Sequence, residues 1–205
     1  MKSVVLSIVL LVGSFVGFSQ SEKESNEKKL KYGFNLGVNY SNLLAKESLP
    51  NNSDIYNEIG FSAGLIMNYK LTEDLSISPK VELSINKSGI KTTNNDDSVS
   101  LYKIFPASLD IMTHLIYKIG NGNTTPYVLV GPKLNLPVFG KSKSDYEYKN
   151  STDFSIDLGI GLENKLKHFS ISPEIRYSLG LFNINENPNF KTLNYHKISL
   201  VLNII

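Results

Sequence analysis

The chain has 205 residues, a length that suits one domain, and its 21 basic and 19 acidic side chains give a formal net charge of +2. This near balance, without a long basic run, argues against a nucleic-acid partner. The sequence has no cysteine, which excludes disulfides, thiolate metal sites, a cysteine nucleophile and the lipid-anchoring cysteine of a lipoprotein.

The first residues have the pattern of an export signal. A short basic start, Met1-Lys2, precedes the nearly all-apolar stretch Val4–Val12, and small residues follow up to Ser19. This pattern predicts a secretory signal peptide over residues 1–19, because the apolar run is too short for the ~20 residues of a membrane-spanning helix. Residues 20–31 are rich in charge, so we predict a flexible periplasmic lead-in before a single domain over residues 32–205.

Eight segments of the remaining chain alternate apolar and polar residues, which is the period of a β-strand. The predicted strands cover residues 32–41, 59–69, 75–86, 102–117, 127–136, 153–163, 169–181 and 198–204. The sixth and seventh keep the alternation longer than most soluble strands do. Their length suits the ~9–11 tilted residues with which a strand crosses a bilayer.

The connections between these segments alternate between long and short. Long polar connections cover residues 42–58, 87–100, 140–152 and 183–194, and short turns lie at 70–74, 120–123 and 164–168. This is the plan of an all-β, eight-stranded, antiparallel up-and-down transmembrane β-barrel. We expect the long loops outside the cell, and the turns near Thr72, Asn121 and Leu166 in the periplasm.

The polar face of the strands is small and rich in glycine. Gly159, Gly161 and Gly180 share it with a few charges, and glycine suits a narrow lumen better than a water-exposed strand. The apolar face would then contact lipid, although a soluble lipocalin-like barrel with the opposite arrangement is an alternative. Aromatic residues near strand ends are predicted to form interfacial girdles: Tyr40, Phe61, Tyr69, Tyr117, Phe154, Phe169 and Tyr195.

An internal repeat relates the third and seventh predicted strands. Residues 75–85 resemble residues 169–179 at a constant offset of 94, and both copies contain Ser-Ile-Ser-Pro. Their prolines, Pro79 and Pro173, are expected close to the periplasmic rim.

The repeat also predicts a charge network. Strands four apart face each other across an eight-stranded barrel, so the offset pairs Lys80 with Glu174 and Glu82 with Arg176. Buried charges need partners, and we predict a network centred on Glu82 and Arg176 that plugs the lumen. The alternative is a set of independent charges in lumen water.

Other chemistry has weaker support in the sequence. His114 near Asp110 could form a base and its orienting carboxylate, but no serine motif or oxyanion element accompanies them, which favours a lumen histidine in a polar network. The acidic tip Asn94–Asp97 could bind a hard cation, but it lacks a further spaced acidic ligand. Asp157 and Glu163 lie at different heights, so they predict no acid–base dyad. We expect no enzyme activity, no cofactor and no metal.

Three stretches resemble the PorT-like family of small, OmpA-like outer-membrane β-barrels of Gram-negative envelopes. They are Tyr32-Gly33-Phe34-Asn35-Leu36-Gly37, Pro126-Tyr127-Val128-Leu129-Val130-Gly131-Pro132 and Ser172-Pro173-Glu174-Ile175-Arg176-Tyr177-Ser178. The resemblance implies an outer-membrane location, with outer-membrane lipids and other envelope or secretion-system proteins as partners. The end Asn203-Ile204-Ile205 departs from the aromatic terminus that the family pattern implies.

Three functions are compatible with these patterns. The first is a structural, assembly or secretion-accessory barrel, the second a small porin or transport channel, and the third an outer-membrane enzyme that acts on lipids. An eight-stranded barrel leaves an interior that side chains can just fill. This favours the first function over an open pore.

Overall fold

The computed structural model describes residues 29–45, 53–86, 89–93, 99–103, 107–139, 152–181 and 193–205. Their eleven strands are β1 (Leu30–Ala45), β2 (Ser53–Tyr56), β3 (Ile59–Lys70), β4 (Leu75–Ile85), β5 (Gly89–Thr93), β6 (Val99–Lys103), β7 (Ala107–Lys118), β8 (Thr124–Phe139), β9 (Asp153–Lys165), β10 (Ser170–Gly180) and β11 (Leu193–Ile204). No helix in these ranges is long and apolar enough to cross a membrane. The predicted signal peptide, residues 1–19, lies outside them.

Eight of the strands close into an antiparallel barrel. Their order around the wall is β1-β11-β10-β9-β8-β7-β4-β3, and β3 pairs with β1 to complete the ring. The predicted eight-stranded barrel is therefore confirmed. The repeat strands β4 and β10 are four positions apart in the ring, which places them on opposite walls.

The remaining three strands form a small second sheet that the sequence reading missed. Its order is β2-β5-β6, so it is built from two of the connections that were predicted to be long loops. The fourth predicted strand, residues 102–117, was wrong as one element: its first residues belong to β6, and the barrel strand begins at Ala107. The short segment Gly89–Thr93 forms a strand because it pairs with Val99–Lys103 in a hairpin. The residue pattern of one short segment alone does not reveal such a partner.

Two barrel strands also extend beyond the stretches in which apolar and polar residues alternate. β1 continues past the predicted end at residue 41 to Ala45, and β11 begins at Leu193 instead of residue 198. These two extensions pair with each other, from Ser41 opposite Lys197 to Ala45 opposite Leu193. Backbone pairing does not require strict alternation of apolar and polar side chains, so the ladder continues where that alternation breaks down.

The distribution of apolar side chains is inverted relative to a soluble protein. Thirty large apolar residues of the described ranges are exposed, and only seven are buried. Leu65 is 66% exposed on the outer face, whereas Arg176 is 0% exposed inside. A continuous apolar outer belt around a polar interior is the arrangement of a membrane barrel, which rules out the soluble lipocalin-like alternative.

Most of the predicted girdle residues lie on the outer face, but Tyr195 was placed wrongly. It is buried, and its hydroxyl lies 2.7 Å from Ser41 Oγ on the neighbouring strand β1. The error follows from the late start predicted for the last strand. Once β11 begins at Leu193, Tyr195 shares the inward face with Lys197 and Ser199.

The two repeat prolines lie inside the ladder, within the half of each strand nearer the short turn. Pro79 is the fifth residue of β4 and Pro173 the fourth of β10. Pro79 pairs with Thr113 of β7, and Pro173 pairs with Leu202 of β11. On its other side, each proline interrupts the pairing with the preceding barrel strand, which is β3 for Pro79 and β9 for Pro173. Proline has no N–H for such a bond. In β4 the Ser78 hydroxyl instead donates to the Met67 carbonyl at 3.0 Å.

The short turns all lie at one end of the barrel, which we call the short-turn end. In the β3–β4 turn the Leu71 and Thr72 N–H groups both donate to the Leu75 carbonyl at 2.9 Å. In the β7–β8 turn Gly120 has φ of 98°, a left-handed conformation that favours glycine. The geometry and hydrogen bonds of these short turns fix the register of the hairpins that they connect.

Candidate functional site: the charged lumen

The interior of the barrel contains a nearly balanced set of fully buried charges. Four cations and five carboxylates, each at most 2% exposed, project from six strands into the lumen. They are Lys80, Lys133, Arg176 and Lys197, with Glu82, Asp110, Asp153, Asp157 and Glu174. With formal charges of +4 and −5, this set is close to neutral, and buried ions are tolerated when they are paired in this way.

Two ion pairs join the opposite repeat strands. Lys80 Nζ lies 3.1 Å from Glu174 Oε2, and Arg176 Nη2 lies 2.7 Å from Glu82 Oε2. The structure therefore brings together both pairs that the repeat predicted, at the same sequence separation of 94. Because β4 and β10 lie on opposite walls, each pair spans the lumen.

Arg176 lies at the centre of the network. Besides Glu82, its guanidinium nitrogens lie 3.7 Å from Asp157 Oδ2 and 3.7 Å from Glu174 Oε1. Its Nη1 also donates to Met112 Sδ at 3.1 Å. Of the three carboxylates only Glu82 accepts a hydrogen bond from Arg176, and the other two contact it as ion pairs. The delocalised charge of one guanidinium thus lies close to three carboxylates.

A third cross-lumen pair lies towards the end with the long connections. Lys197 Nζ on β11 lies 2.6 Å from Asp110 Oδ2 on β7, and these strands are also four positions apart. The Asp110 carboxylate accepts further bonds of 2.8 Å from the hydroxyls of Ser84 and Ser108. This pair thus has its remaining acceptor sites satisfied.

Inward glycines leave room for bonds between strands that are not neighbours. Gly161 lies between Tyr127 and Glu174, and the Tyr127 hydroxyl donates across it to Glu174 at 3.0 Å. A Cβ on Gly161 would collide with the ring of Tyr127. The small residues that indicated a lumen are therefore required by its hydrogen bonds.

The same arrangement recurs at two other glycines. Asn35 donates to Glu82 at 2.6 Å across Gly64. His114 Nε2 lies 3.0 Å from Asp157 Oδ2 across Gly131. Each glycine faces inward in the middle strand of three, so a side chain there would separate the two partners.

His114 has a different carboxylate partner from the one the sequence suggested. The expected neighbour, Asp110, pairs with Lys197, whereas His114 contacts Asp157. His114 is fully buried, so a lipid substrate has no access to its ring. The described residues contain no group of three or more His, Asp or Glu side chains suited to a metal, and the Asn94–Asp97 tip lies outside the described ranges.

An apolar layer closes the lumen nearer the short turns. Ile116, Tyr127 and Leu129 form a buried cluster, and Val201 is also buried within the barrel. The small cavity beside Tyr127 measures about 20 Å³, close to the ~10–15 Å³ that one water needs. Side chains thus fill the lumen, and no wide channel runs through the described part of the barrel.

Several members of the network were missed at the sequence level. Lys133 and Asp157 have the inward parity of their strands, and that signal could have included them. Lys197 was missed because the last strand was predicted to begin one residue later. Asp110 was considered only as a partner for His114, since the register between β7 and β11 is not visible in either segment alone.

Comparisons with known proteins point to one family. Residues 18–186 match the family model described as "Outer membrane protein beta-barrel domain". No curated protein sequence gives a significant match.

Several solved structures resemble this fold. The chain is similar to Neisserial surface protein A, with 16% identity and a TM-score of 0.47 over 85% of this chain and 97% of that one. The N-terminal β-barrel domain of OprF from Pseudomonas aeruginosa has 13% identity and a TM-score of 0.44 over 83% and 96%. OprG from the same organism has 12% identity and a TM-score of 0.45 over 85% and 92%.

Proposed function

Since the chain belongs to the outer membrane protein β-barrel domain family, we propose that it is a non-conducting outer-membrane barrel with a structural, assembly or secretion-accessory role. The observation that carries this proposal is the plugged lumen. Arg176 is fully buried and bonded across the lumen to Glu82 at 2.7 Å. A conducting pore would need a hydrated path where these side chains now meet.

The finer assignments form part of the same proposal. Residues 1–19 act as a cleaved signal peptide, and the barrel is PorT-like, as the three sequence stretches suggest. Outer-membrane lipids contact the apolar belt. The long connections, two of which contribute strands to the second sheet, face the outside and contact other envelope or secretion-system proteins.

The two alternative functions have less support. A small porin requires an open lumen, and the buried charges and the layer of Ile116, Tyr127 and Leu129 occupy that space. A lipid-acting enzyme requires a reactive side chain within reach of lipid. His114, the candidate base, is enclosed with Asp157 inside the barrel, so the proposal excludes a catalytic role for it.

Conductance measurements test the plug. Refolded protein inserted into planar bilayers is expected to give no stepwise current at physiological salt. Replacing both the central pair and the apolar layer by small residues, in Glu82→Ala/Arg176→Ala/Tyr127→Ala/Leu129→Ala, should open a path and produce discrete currents. Steady unitary currents from the unmodified protein would contradict the proposal and favour the porin alternative.

Site-specific crosslinking tests the accessory role. A photoreactive residue at Lys91, which is exposed on β5 of the second sheet, is expected to crosslink a discrete envelope protein in intact cells. The control carries the same residue at Ile160, which is 60% exposed on the outer belt and should contact mainly lipid. The accessory role would be rejected if neither position, nor any other position in the second sheet, gave a protein adduct.

A further inference from the structure

A blind vestibule rimmed by lysines opens at the short-turn end of the barrel. Its cavity measures about 80 Å³ and is lined by five lysines from four strands and the residue before β1: Lys29, Lys31, Lys70, Lys118 and Lys165. This volume is several times the ~10–15 Å³ that one water needs. Two side-chain carboxylates, Glu73 and Glu163, line the same cavity, and so does Ile205 with its α-carboxylate. The five lysines therefore leave a formal excess of two positive charges (five minus three).

The lysines differ in how far they are already neutralised. Lys118 Nζ lies 2.7 Å from Glu163 Oε2, so this pair contributes no net charge. Within the described ranges, Lys29, Lys31 and Lys165 form no ion pair, and all three are exposed. Like charges that converge on one cavity without partners repel each other, and an anion placed between them would remove that cost.

The vestibule is closed at its inner end. It shares four lining residues, Asn68, Lys118, Glu163 and Ile205, with the smaller cavity that reaches Lys80, Tyr127 and Glu174. Beyond this point the lumen is filled by the charge network and the apolar layer. A solute that enters from the short-turn end can therefore bind there but has no open path through the described barrel.

We propose that this vestibule is a binding site for a phosphate group. Lysine ammonium groups are common phosphate binders, and rings of Lys or Arg at a mouth select anions or phosphate. The hydroxyls of Thr72 and Ser76, together with the Asn68 amide, line the same cavity and supply uncharged donors. A recessed cavity lined mainly by one sign of charge concentrates the electrostatic potential of the lysines.

The phosphate could belong to a soluble compound or to a lipid headgroup at the membrane surface. Both sources offer the same chemistry to the lysines. The lysines of the strands that line the vestibule lie on the inward face of those strands, whereas the outer rim at this end carries apolar residues such as Tyr69, Leu71 and Phe169. A lipid headgroup would therefore have to fold over this rim.

Calorimetric titration with inorganic phosphate tests the site. Refolded protein in maltoside micelles, which contain no phosphate, is expected to bind phosphate saturably at one site. Lys31→Gln/Lys165→Gln should weaken binding at least tenfold, and Lys31→Arg/Lys165→Arg should retain it. The matched control is Lys167→Gln, because Lys167 is exposed in a turn at the same end but does not line the cavity.

The two sources are separated by native mass spectrometry with phosphatidylglycerol in the same micelles. A bound lipid that inorganic phosphate displaces would support a headgroup site, and phosphate binding without lipid retention would support a soluble ligand. The proposal is overturned if the unmodified protein shows no saturable phosphate binding. It is equally overturned if Lys167→Gln weakens binding as much as the loss of Lys31 and Lys165, since the charge effect would then be diffuse. Neither outcome depends on the accessory role or on conductance.

Discussion

The two copies of the repeated strand, β4 and β10, present similar patterns from opposite walls but have unequal surroundings. Both follow a short turn, both carry Ser-Ile-Ser-Pro, and both then place two charges into the lumen. The order of charge is reversed, with Lys80 and Glu82 in one copy and Glu174 and Arg176 in the other. This reversal lets two copies of one pattern neutralise each other across the barrel.

The difference lies in how many partners each cation has. Among the described residues Lys80 forms an ion pair with Glu174 alone, whereas Arg176 approaches Glu82, Asp157 and Glu174. An ammonium group is a compact point charge, while a guanidinium presents its donors as a fork. Arg176 of β10 is therefore at the centre of the network, whereas Lys80 of β4 lies at its edge, with a single carboxylate partner.

The largest expected effect comes from removing that centre. Arg176→Leu should lower the free energy of unfolding by ~3–5 kcal/mol, because it leaves buried carboxylates without their cation. Denaturant unfolding of the refolded protein in lipid vesicles measures the loss. Arg176→Lys is the matched variant: it keeps the charge but not the fork and should lose less. A loss below ~1 kcal/mol for Arg176→Leu would mean that water solvates these carboxylates.

The next effect isolates the contact between the two copies. In a double-mutant cycle of Glu82→Leu and Arg176→Leu, the coupling energy should reach ~2–3 kcal/mol, the upper range for directly bonded residues. The control cycle combines Glu82→Leu with Lys118→Met, since Lys118 pairs elsewhere with Glu163. Its coupling energy should be close to zero. Equal coupling in both cycles would indicate a general effect of charge and not a specific bond.

The alternation of apolar and polar residues predicted the barrel fold, and the internal repeat also predicted contacts between two of its strands. A period of two identifies which side chains face inward, so the barrel, its glycine-lined lumen and the inward charges follow from the sequence. Alternation does not show which residues of two different strands lie at the same height along the barrel axis. The offset of 94 supplied that height for β4 and β10 only, which is why Lys80–Glu174 and Glu82–Arg176 were predicted together.

The parts that were missed depend on register or on weak local patterns. His114 reaches Asp157 across Gly131, and Lys197 reaches Asp110 across the lumen. Both contacts require the relative heights of strands that share no repeat. The second sheet depends on pairing between short segments such as Ser53–Tyr56 and Gly89–Thr93, and segments of four or five residues carry too little alternation to distinguish strand from loop.

A smaller effect is expected at the edge of the network. Lys80→Met should destabilise the protein by ~1–3 kcal/mol, the cost of losing one charged hydrogen bond to a buried group. The loss is smaller than for Arg176→Leu because Glu174 keeps bonds from Tyr127 at 3.0 Å and Asn203 at 3.1 Å. The same unfolding measurement compares the two variants directly. If Lys80→Met proved the more damaging, the centre of the network would lie at Glu174 instead of Arg176.

The smallest expected effect compares the two prolines. Each leaves a gap in the ladder with the preceding strand, opposite Met67 for Pro79 and opposite Leu162 for Pro173. In β4 the Ser78 hydroxyl already donates to the Met67 carbonyl at 3.0 Å, whereas no corresponding bond joins Ser172 to Leu162 in the described part of the chain.

Replacing either proline by alanine restores an N–H donor, worth ~0.5–1.5 kcal/mol when it bonds, and gives up ~0.4–1 kcal/mol of reduced unfolded-state entropy. These opposing terms nearly cancel, so each single variant should change stability little. The new donor is needed at Leu162 but competes with Ser78 at Met67. Pro173→Ala should therefore be more stable than Pro79→Ala by roughly 0.5–1 kcal/mol, measured as a difference in denaturation midpoint at constant slope. Adding Ser78→Ala to Pro79→Ala frees the Met67 carbonyl for the new N–H, so the stability difference between the β4 and β10 variants should disappear. A difference that persists in the Ser78→Ala background would show that the Ser78 hydroxyl does not replace the missing ladder bond.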